Sequence, residues 1–316
     1  MPTTTFHPAS AMNSLLQSGW RSAKQWRHIR LGPIRLSYKF SKHPKVRSAH
    51  ASMLAPATSH QSREGGFIDI SADRHVERPG TTTPGTAVVV GAGPGLGNAL
   101  ARLFAECGHP VAIVSRSDLA IGETALQLRR SGAVAGAYPC DVTDERAVAT
   151  MMRRVESDLG SPELVVYTVQ GFSPATLLTT EACAFEEAWR TNCYGAFLVA
   201  REAARSMVSL GRGSILLAGA TSGTKGRKGY INLAVGKFGL RALAQVMASE
   251  LGPQGVHVAH VVIDGDIAEA DDPSDEPQIE PRDLARTFYL LHRQPRSCWS
   301  SEIDVRPANE AFWEHC

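Results

Sequence analysis

Four glycines in the first third of the chain have the spacing of a phosphate-binding turn. Gly91, Gly93, Gly95 and Gly97 follow the β-branched run at residues 86–90, and helical periodicity begins directly after them. The first of these lets the chain leave the strand sharply, Gly95 lets backbone N–H groups approach a pyrophosphate, and Gly97 lets the helix pack close to the sheet. The positive end of that helix would face the phosphates. We therefore expect a dinucleotide-binding site, with a plain glycine-rich turn as the alternative.

The end of the next strand indicates which dinucleotide is bound. Proteins selective for NAD usually place Asp or Glu there, to accept a hydrogen bond from the ribose 2′-hydroxyl. This chain instead has Ser115 followed by Arg116. Because a guanidinium suits a 2′-phosphate, we expect NADP(H) to be favoured over NAD(H). A merely solvated arginine is the alternative.

The elements that must position these residues alternate between strands and helices. Strands are predicted near residues 86–90, 111–115, 134–139, 163–168, 213–218, 256–263 and 302–305. Helices are predicted near residues 95–107, 118–130, 144–159, 181–209, 230–251 and 282–292. The alternation predicts an α/β fold with a single Rossmann-type, doubly wound parallel sheet of about seven strands, flanked by helices.

One stripe on the long fourth helix contains Trp189, Cys193, Phe197 and Ala200. Such a stripe belongs either to the core or to one half of a subunit interface. We expect the protein to form a homodimer or a homotetramer.

The charges are unevenly distributed along the chain. Residues 1–63 contain ten Lys or Arg and no Asp or Glu, whereas residues 264–281 contain eight Asp or Glu and no Lys or Arg. The basic segment lacks the aromatic residues of a nucleic-acid-binding fold, so we expect no nucleic acid partner. No apolar run approaches the roughly 18 residues needed to cross a bilayer, so we expect no membrane insertion. The six cysteines include no Cys-x-x-Cys pair, which favours a reduced, intracellular protein without a zinc site.

The N-terminal part of the chain has the composition of an extension to the fold. We expect residues 1–85 to be a disordered or targeting segment, residues 86–307 to form the dinucleotide-binding domain, and residues 308–316 to be a short tail. Leu16, Trp20, Ala23 and Trp26 recur at helical spacing with basic residues between them, which suits a mitochondrial transit peptide. A disordered tail or a mispredicted start are the alternatives, and the protein would then be cytoplasmic.

Further motifs resemble those of the short-chain dehydrogenases/reductases. The resemblance covers residues 86–307 and rests on Gly91-x-x-x-Gly95-x-Gly97, on Cys140-Asp141-Val142-Thr143, on Asn192 in Thr-Asn-Cys-Tyr-Gly, and on Lys237 in Ala-Val-Gly-Lys-Phe-Gly. It implies that Asp141 holds the adenine, Asn192 supports a water relay and Lys237 holds the nicotinamide ribose. The implied cofactor-binding set is Gly91, Gly93, Gly95, Leu96, Gly97, Ser115, Arg116, Asp141, Val142, Lys237 and Ile267.

Several positions depart from the family pattern. Ordinary members carry a catalytic Tyr four residues before the Lys and a Ser thirteen residues before that Tyr, but this chain has Leu233 and Ala220 there. Its ending, Leu-Leu-His-Arg-Gln-Pro-Arg-Ser-x-Trp, resembles a divergent branch in which the Tyr is commonly apolar. The usual Pro-Gly after the sixth strand is Asp264-Gly265, and the loop at residues 167–170 also differs. These changes affect the loops beside the nicotinamide.

Neighbouring residues offer incomplete replacements for the missing groups. Tyr230 is a candidate proton donor beside Asn192 and Lys237, but on a helix its side chain leans away from Lys237, so a pocket wall is the alternative. Thr221 and Ser222, if they continue a strand, point to opposite sides, and neither replaces the Ser cleanly. His257 and His260 have odd spacing in a strand, so we expect no joint metal site.

Two functions fit these residues. The first is an NADP(H)-dependent oxidoreductase that transfers hydride between nicotinamide and a small carbonyl or alcohol substrate. The second is an NADP(H)-binding protein with little or no turnover, acting as a sensor or an interaction partner. The motifs favour the first function, and the missing Tyr keeps the second open.

Overall fold

The computed structural model describes residues 84–268 and 278–308. Most of the predicted N-terminal extension, and the tail beyond residue 308, lie outside these ranges. Seven strands form one parallel sheet: β1 (Thr86–Val90), β2 (Val111–Ser115), β3 (Ala135–Pro139), β4 (Pro162–Tyr167), β5 (Gly213–Ala218), β6 (Val256–Ile263) and β9 (Glu302–Val305). Their order is β3-β2-β1-β4-β5-β6-β9, which confirms the predicted doubly wound parallel sheet.

Seven helices flank this sheet within the described ranges. They are α1 (Leu96–Glu106), α2 (Asp118–Arg130), α3 (Glu145–Leu159), α4 (Ala182–Trp189), α5 (Gly195–Leu210), α6 (Ile231–Leu251) and α7 (Pro281–His292). The predicted fourth helix is interrupted by a π-helical turn, Arg190–Tyr194, between α4 and α5. None of these helices has both the length and the apolarity needed to span a membrane.

The sheet is covered on both faces, as parallel sheets require. Alternate residues of β1 enter two separate cores. Val88 and Val90 pack in a cluster with residues of α3, α5 and α6, whereas Ala87 and Val89 pack with residues of α1, α2 and α7. The five residues of β1 are all buried, which explains why this strand reads as a continuous apolar run in the sequence.

The order of the strands reverses direction at β1. The chain first adds β2 and β3 on one side of β1 and then crosses to β4 on the other side. In such sheets the crevice at the carboxyl ends of the strands, beside the reversal, is where ligands bind. A short parallel pair that the sequence did not predict, β7 (Asp266–Ile267) with β8 (Gln278–Ile279), lies after β6 in the chain.

Candidate functional site

A cleft of about 1010 Å³ opens where the parallel strands end. Its volume is in the range of small-molecule and cofactor sites. All the predicted cofactor residues line it, together with Tyr230, Leu233 and Ala220. Asn192 is the predicted site residue that is not among the lining residues.

The glycine turn has the geometry that its spacing predicts. Gly91 has a φ of 98°, and a Cβ there would lie 2.7 Å from the Oγ1 of Thr168. A Cβ on Gly97 would lie 2.5 Å from the Cα of Ala92, so α1 can approach the turn only with glycine at this position. A Cβ on Gly95 would meet nothing closer than Ile267, at 3.8 Å. The space before Gly95 and the start of α1 is therefore open to an anion.

The residues that follow β2 and β3 form one end of the cleft. Asp141 accepts hydrogen bonds from the Thr143 backbone N–H at 2.9 Å and from the Thr143 hydroxyl at 2.8 Å. The Thr143 N–H is the largest of the influences that hold the pKa of Asp141 below its ordinary value, and the positive charge of Arg116 acts in the same direction. Arg116 itself is exposed to solvent where β2 ends. A carboxylate and an exposed guanidinium thus lie near each other at this end of the cleft.

Lys237 lies in α6 at the other end of the cleft. Its side chain is 1% exposed, and its ammonium donates a hydrogen bond to the carbonyl of Ala218 at 2.9 Å. Burial lowers the pKa of Lys237 to about 8. Leu233, one helical turn earlier, is also buried. The amine therefore has an apolar neighbour on its own helix where the family pattern has a phenol.

Asn192 forms hydrogen bonds to two segments of backbone near the cleft. Its side-chain amide donates to the carbonyls of Gly171, at 2.7 Å, and Ala188, at 2.9 Å, and its oxygen accepts from the Gly171 N–H at 3.4 Å. Gly236 makes this packing possible, because a Cβ there would lie 2.6 Å from the Cβ of Asn192. The Asn192 side chain thus ties the loop after β4 to the π-helical turn, against which α6 packs.

Tyr230 lies in a different setting from the one that the helical pattern predicts. It precedes the first residue of α6 as the N-cap, with φ −111° and ψ 18°, so the argument from a shared helical stripe is wrong. Its ring stacks on Phe172, with centroids 4.9 Å apart and planes at 24°. The two rings line the cleft together and form part of its wall.

A polar pair that the sequence did not predict lies between β5 and β6. Residues Thr221–Gly223 form a 3-10 turn, so the strand-like alternation expected for Thr221 and Ser222 is wrong. The Thr221 hydroxyl donates a hydrogen bond to Oδ1 of Asp264, which is buried at the end of β6. Both residues line the cleft. The sequence offered one hint, since Asp264 stands where the family pattern has proline.

The two histidines of β6 have separate partners. His257 stacks on Trp299 with centroids 4.9 Å apart, and its Nε2 lies 2.8 Å from the carbonyl oxygen of Ser300. His260 Nδ1 lies 3.0 Å from a carboxylate oxygen of Glu302. Burial lowers the pKa of both imidazoles. Over residues 84–268 and 278–308, no three His, Cys, Asp or Glu side chains are grouped so that they could hold a metal ion.

Comparison with known sequences identifies several relatives. A family model described as enoyl-(acyl carrier protein) reductase matches residues 91–277. A short-chain dehydrogenase/reductase of Armillaria gallica is 35% identical over 179 residues, which are 54% of this chain and 67% of that protein. An uncharacterized oxidoreductase of Staphylococcus aureus strain N315 is 26% identical over 224 residues, which are 70% of this chain and 96% of that protein.

Comparison with solved structures also identifies short-chain dehydrogenases and oxidoreductases. The crystal structure of a short-chain dehydrogenase from Rhodopseudomonas palustris superposes with a TM-score of 0.63 at 31% identity, over 71% of this chain and 98% of that one. A metagenomic short-chain oxidoreductase in complex with NADP superposes with a TM-score of 0.63 at 26% identity, over 71% of this chain and 97% of that one. The fold, the glycine turn and these matches together establish that the chain belongs to the short-chain dehydrogenase/reductase family.

Proposed function

We propose that the protein is an NADP(H)-dependent oxidoreductase that transfers hydride between nicotinamide and a small carbonyl or alcohol substrate. The observation that carries this proposal is one cleft with Arg116 at one end, the open glycine turn in the middle and Lys237 at the other end. From β2 to β5 there are three strand spacings, about 14 Å in all, which suits a cofactor lying across the strand ends.

Each end of the cleft would hold a different part of the cofactor. Arg116 would pair with the 2′-phosphate, Asp141 would hold the adenine, and the backbone at Gly95 would face the pyrophosphate. Lys237 has three N–H donors and gives one of them to Ala218, so two remain for the hydroxyls of the nicotinamide ribose. When bound, the cofactor supplies the hydride chemistry, while the protein supplies binding, orientation and a partly dry site.

The cleft lacks the usual side chains that would transfer a proton to or from the substrate. Ala220 and Leu233 line the cleft at the positions where the family pattern has Ser and Tyr, and neither can pass a proton. We assign Asn192 a positioning role in this proposal, since both N–H donors of its amide are used by backbone carbonyls. Tyr230 is retained as the candidate proton donor. The chain then represents a divergent branch of its family that reduces simple carbonyls slowly.

The buried, apolar Leu233 also favours a second candidate function. An NADP(H)-binding protein with little turnover would need the cofactor half of the cleft and no proton donor. A spectrophotometric screen of aldehydes and ketones with NADPH separates the two functions. Steady oxidation of NADPH with any substrate supports the enzyme, and tight binding without oxidation supports the sensor or interaction role.

The contribution of Arg116 is measurable by fluorescence titration with NADPH and NADH. A charge-assisted contact of about 1.5–3 kcal/mol gives NADPH an advantage of about ten- to a hundredfold. Arg116→Ala should remove most of this advantage by weakening NADPH binding alone. Arg130→Ala, which removes an exposed arginine from α2, is the matched control and should leave both dissociation constants unchanged. Equal affinities of the unmodified protein for NADPH and NADH would refute the assignment.

Assembly and location are part of the same proposal. We propose a homodimer or homotetramer, supported by Trp189 and Phe197, which are each 38% exposed at the end of α4 and near the start of α5. Residues 86–307 are proposed as the cofactor-binding domain. Residues 1–85 are proposed, on their sequence alone, as a targeting or disordered extension of an intracellular protein, with the mitochondrion as the destination if they are a transit peptide and the cytoplasm otherwise.

A further inference from the structure

The carboxylate of Asp264 is buried in the cleft without a full set of partners. The residue is 5% exposed. Its Oδ1 accepts the hydroxyl proton of Thr221, whereas its Oδ2 accepts no hydrogen bond from any residue that the structure describes. A buried carboxylate that has lost its hydration needs compensation from nearby donors or positive charge. Asp264 is therefore a group in the cleft that can still gain from a positively charged ligand.

Arg306 compensates this carboxylate only in part. Its Nη1 lies 3.4 Å from Oδ2 of Asp264, close enough for charge pairing but without a hydrogen bond, while its Nη2 lies 2.6 Å from Oδ1 of Asp304. One guanidinium is thus shared between two carboxylates and is closer to Asp304. The side chains of Asp264, Asp304 and Arg306 together carry a net charge of −1. The exposed carboxylate of Asp266, which also lines the cleft, adds to the negative charge there.

Asp264 lies at the end of the cleft where the nicotinamide would be. It follows β6, the neighbour of β5, and β5 provides the Ala218 carbonyl that binds Lys237. Arg116 follows β2, four strand spacings from β6, or about 19 Å. If Arg116 holds the 2′-phosphate, the nicotinamide is at the end shared by Lys237 and Asp264. This step rests on the proposed function.

We propose that Asp264 makes the cleft prefer the oxidised cofactor, NADP⁺, over NADPH. The nicotinamide ring is positively charged in NADP⁺ and neutral in NADPH, so a nearby carboxylate attracts the first and not the second. The ammonium of Lys237 opposes this attraction at the same end of the cleft, and Asp264 offsets it. Stabilising the oxidised ring also makes bound NADPH a stronger hydride donor, so the site is suited to reducing a carbonyl, whose carbon takes the hydride from the ring and whose oxygen takes a proton from water.

Titration of the full chain with NADP⁺ and with NADPH at pH 7 tests this proposal without any substrate. Asp264→Asn should raise the ratio of the NADP⁺ dissociation constant to the NADPH dissociation constant about five- to tenfold. The amide has the same shape, and its oxygen still accepts from Thr221. Asp266→Asn is the matched control, because it removes the same charge from an exposed position nearby, and we expect it to change the ratio less than twofold.

A second variant tests the opposite sign and covers the case in which Asp264→Asn does not fold. Arg306→Gln removes the positive charge that partly compensates Asp264, so the same ratio should fall. Two results overturn the proposal: an unchanged ratio in Asp264→Asn, or a ratio that stays constant or rises in Arg306→Gln. Failure of the unmodified protein to bind either cofactor would instead refute the proposed function, and the inference with it.

Discussion

Replacing Lys237 by methionine is expected to stabilise the protein at neutral pH and to destabilise it at high pH. Burial lowers the pKa of this amine from 10.5 to about 8 in the folded state. Between these two values the unfolded chain binds more protons than the folded one, so the free energy of unfolding rises with pH across this window. Below about pH 8 the folded state bears the full cost of a buried ammonium.

The magnitude follows from the same two values. A pKa lowered from 10.5 to about 8 corresponds to about 3 kcal/mol of unfolding free energy. Lys237→Met removes this cost but leaves the Ala218 carbonyl without its donor, which costs about 1–2 kcal/mol. We therefore expect the variant to be about 1–2 kcal/mol more stable than the unmodified protein at pH 7. Above pH 10.5, where the amine is neutral in both states, the variant should be less stable by a similar amount.

Urea unfolding of both proteins at pH 7, at pH 9 and above pH 10.5 measures this difference. Other groups that titrate in this range are common to both proteins, so their effects cancel when the two unfolding free energies are subtracted. Lys228→Met, which replaces an exposed lysine before α6, is the control and should show no change of sign. If Lys237→Met is less stable at pH 7 and the difference stays constant to high pH, the reasoning about a buried ammonium is wrong.

Two further variants test the end of the cleft near Lys237, where catalysis would take place. If Tyr230 donates the proton, Tyr230→Phe should abolish turnover without changing NADPH affinity; if it is a pocket wall stacked on Phe172, the same change should alter KM more than kcat. Ala220→Ser combined with Leu233→Tyr should raise turnover on a generic aldehyde, by up to about 10²-fold if the phenol is accommodated. Fast reduction by the unmodified protein, unaffected by Tyr230→Phe, would contradict both expectations.

The half of the cleft that we propose to bind the cofactor was predictable because its residues lie close together in the sequence. Gly91, Gly95 and Gly97 lie within one strand–turn–helix unit, and Arg116 directly follows the next strand. In a parallel sheet the ends of successive strands lie side by side, so predicting the strands correctly was sufficient to bring these residues together. The bounds of β1, β2, β5 and β6 coincide with the predicted ones, because each is a buried run between glycines or polar residues.

The contacts at the other end of the cleft, near Lys237, were not predictable in the same way. Asp264 and Thr221 are 43 residues apart, and their contact depends on a 3-10 turn that no periodicity indicates. Tyr230 precedes α6 instead of belonging to it, and propensity alone does not locate a helix end to one residue. The side chain of Asn192 donates a hydrogen bond to the backbone carbonyl of Gly171, and this contact depends on the π-helical turn and on the close approach of α6. Each of these features depends on how separate loops pack.

The buried amine of Lys237 links these two halves of the cleft. The family pattern has the catalytic phenol one helical turn before this lysine, but here that position is Leu233. A fully buried ammonium with one hydrogen-bond acceptor is unfavourable for folding. Ribose hydroxyls would accept hydrogen bonds from its two remaining N–H groups and offset part of this cost. The buried ammonium that lowers the stability of the protein without cofactor should therefore strengthen cofactor binding. The presence of a destabilising Lys237 one helical turn from Leu233 is therefore better explained by cofactor binding than by acid–base catalysis.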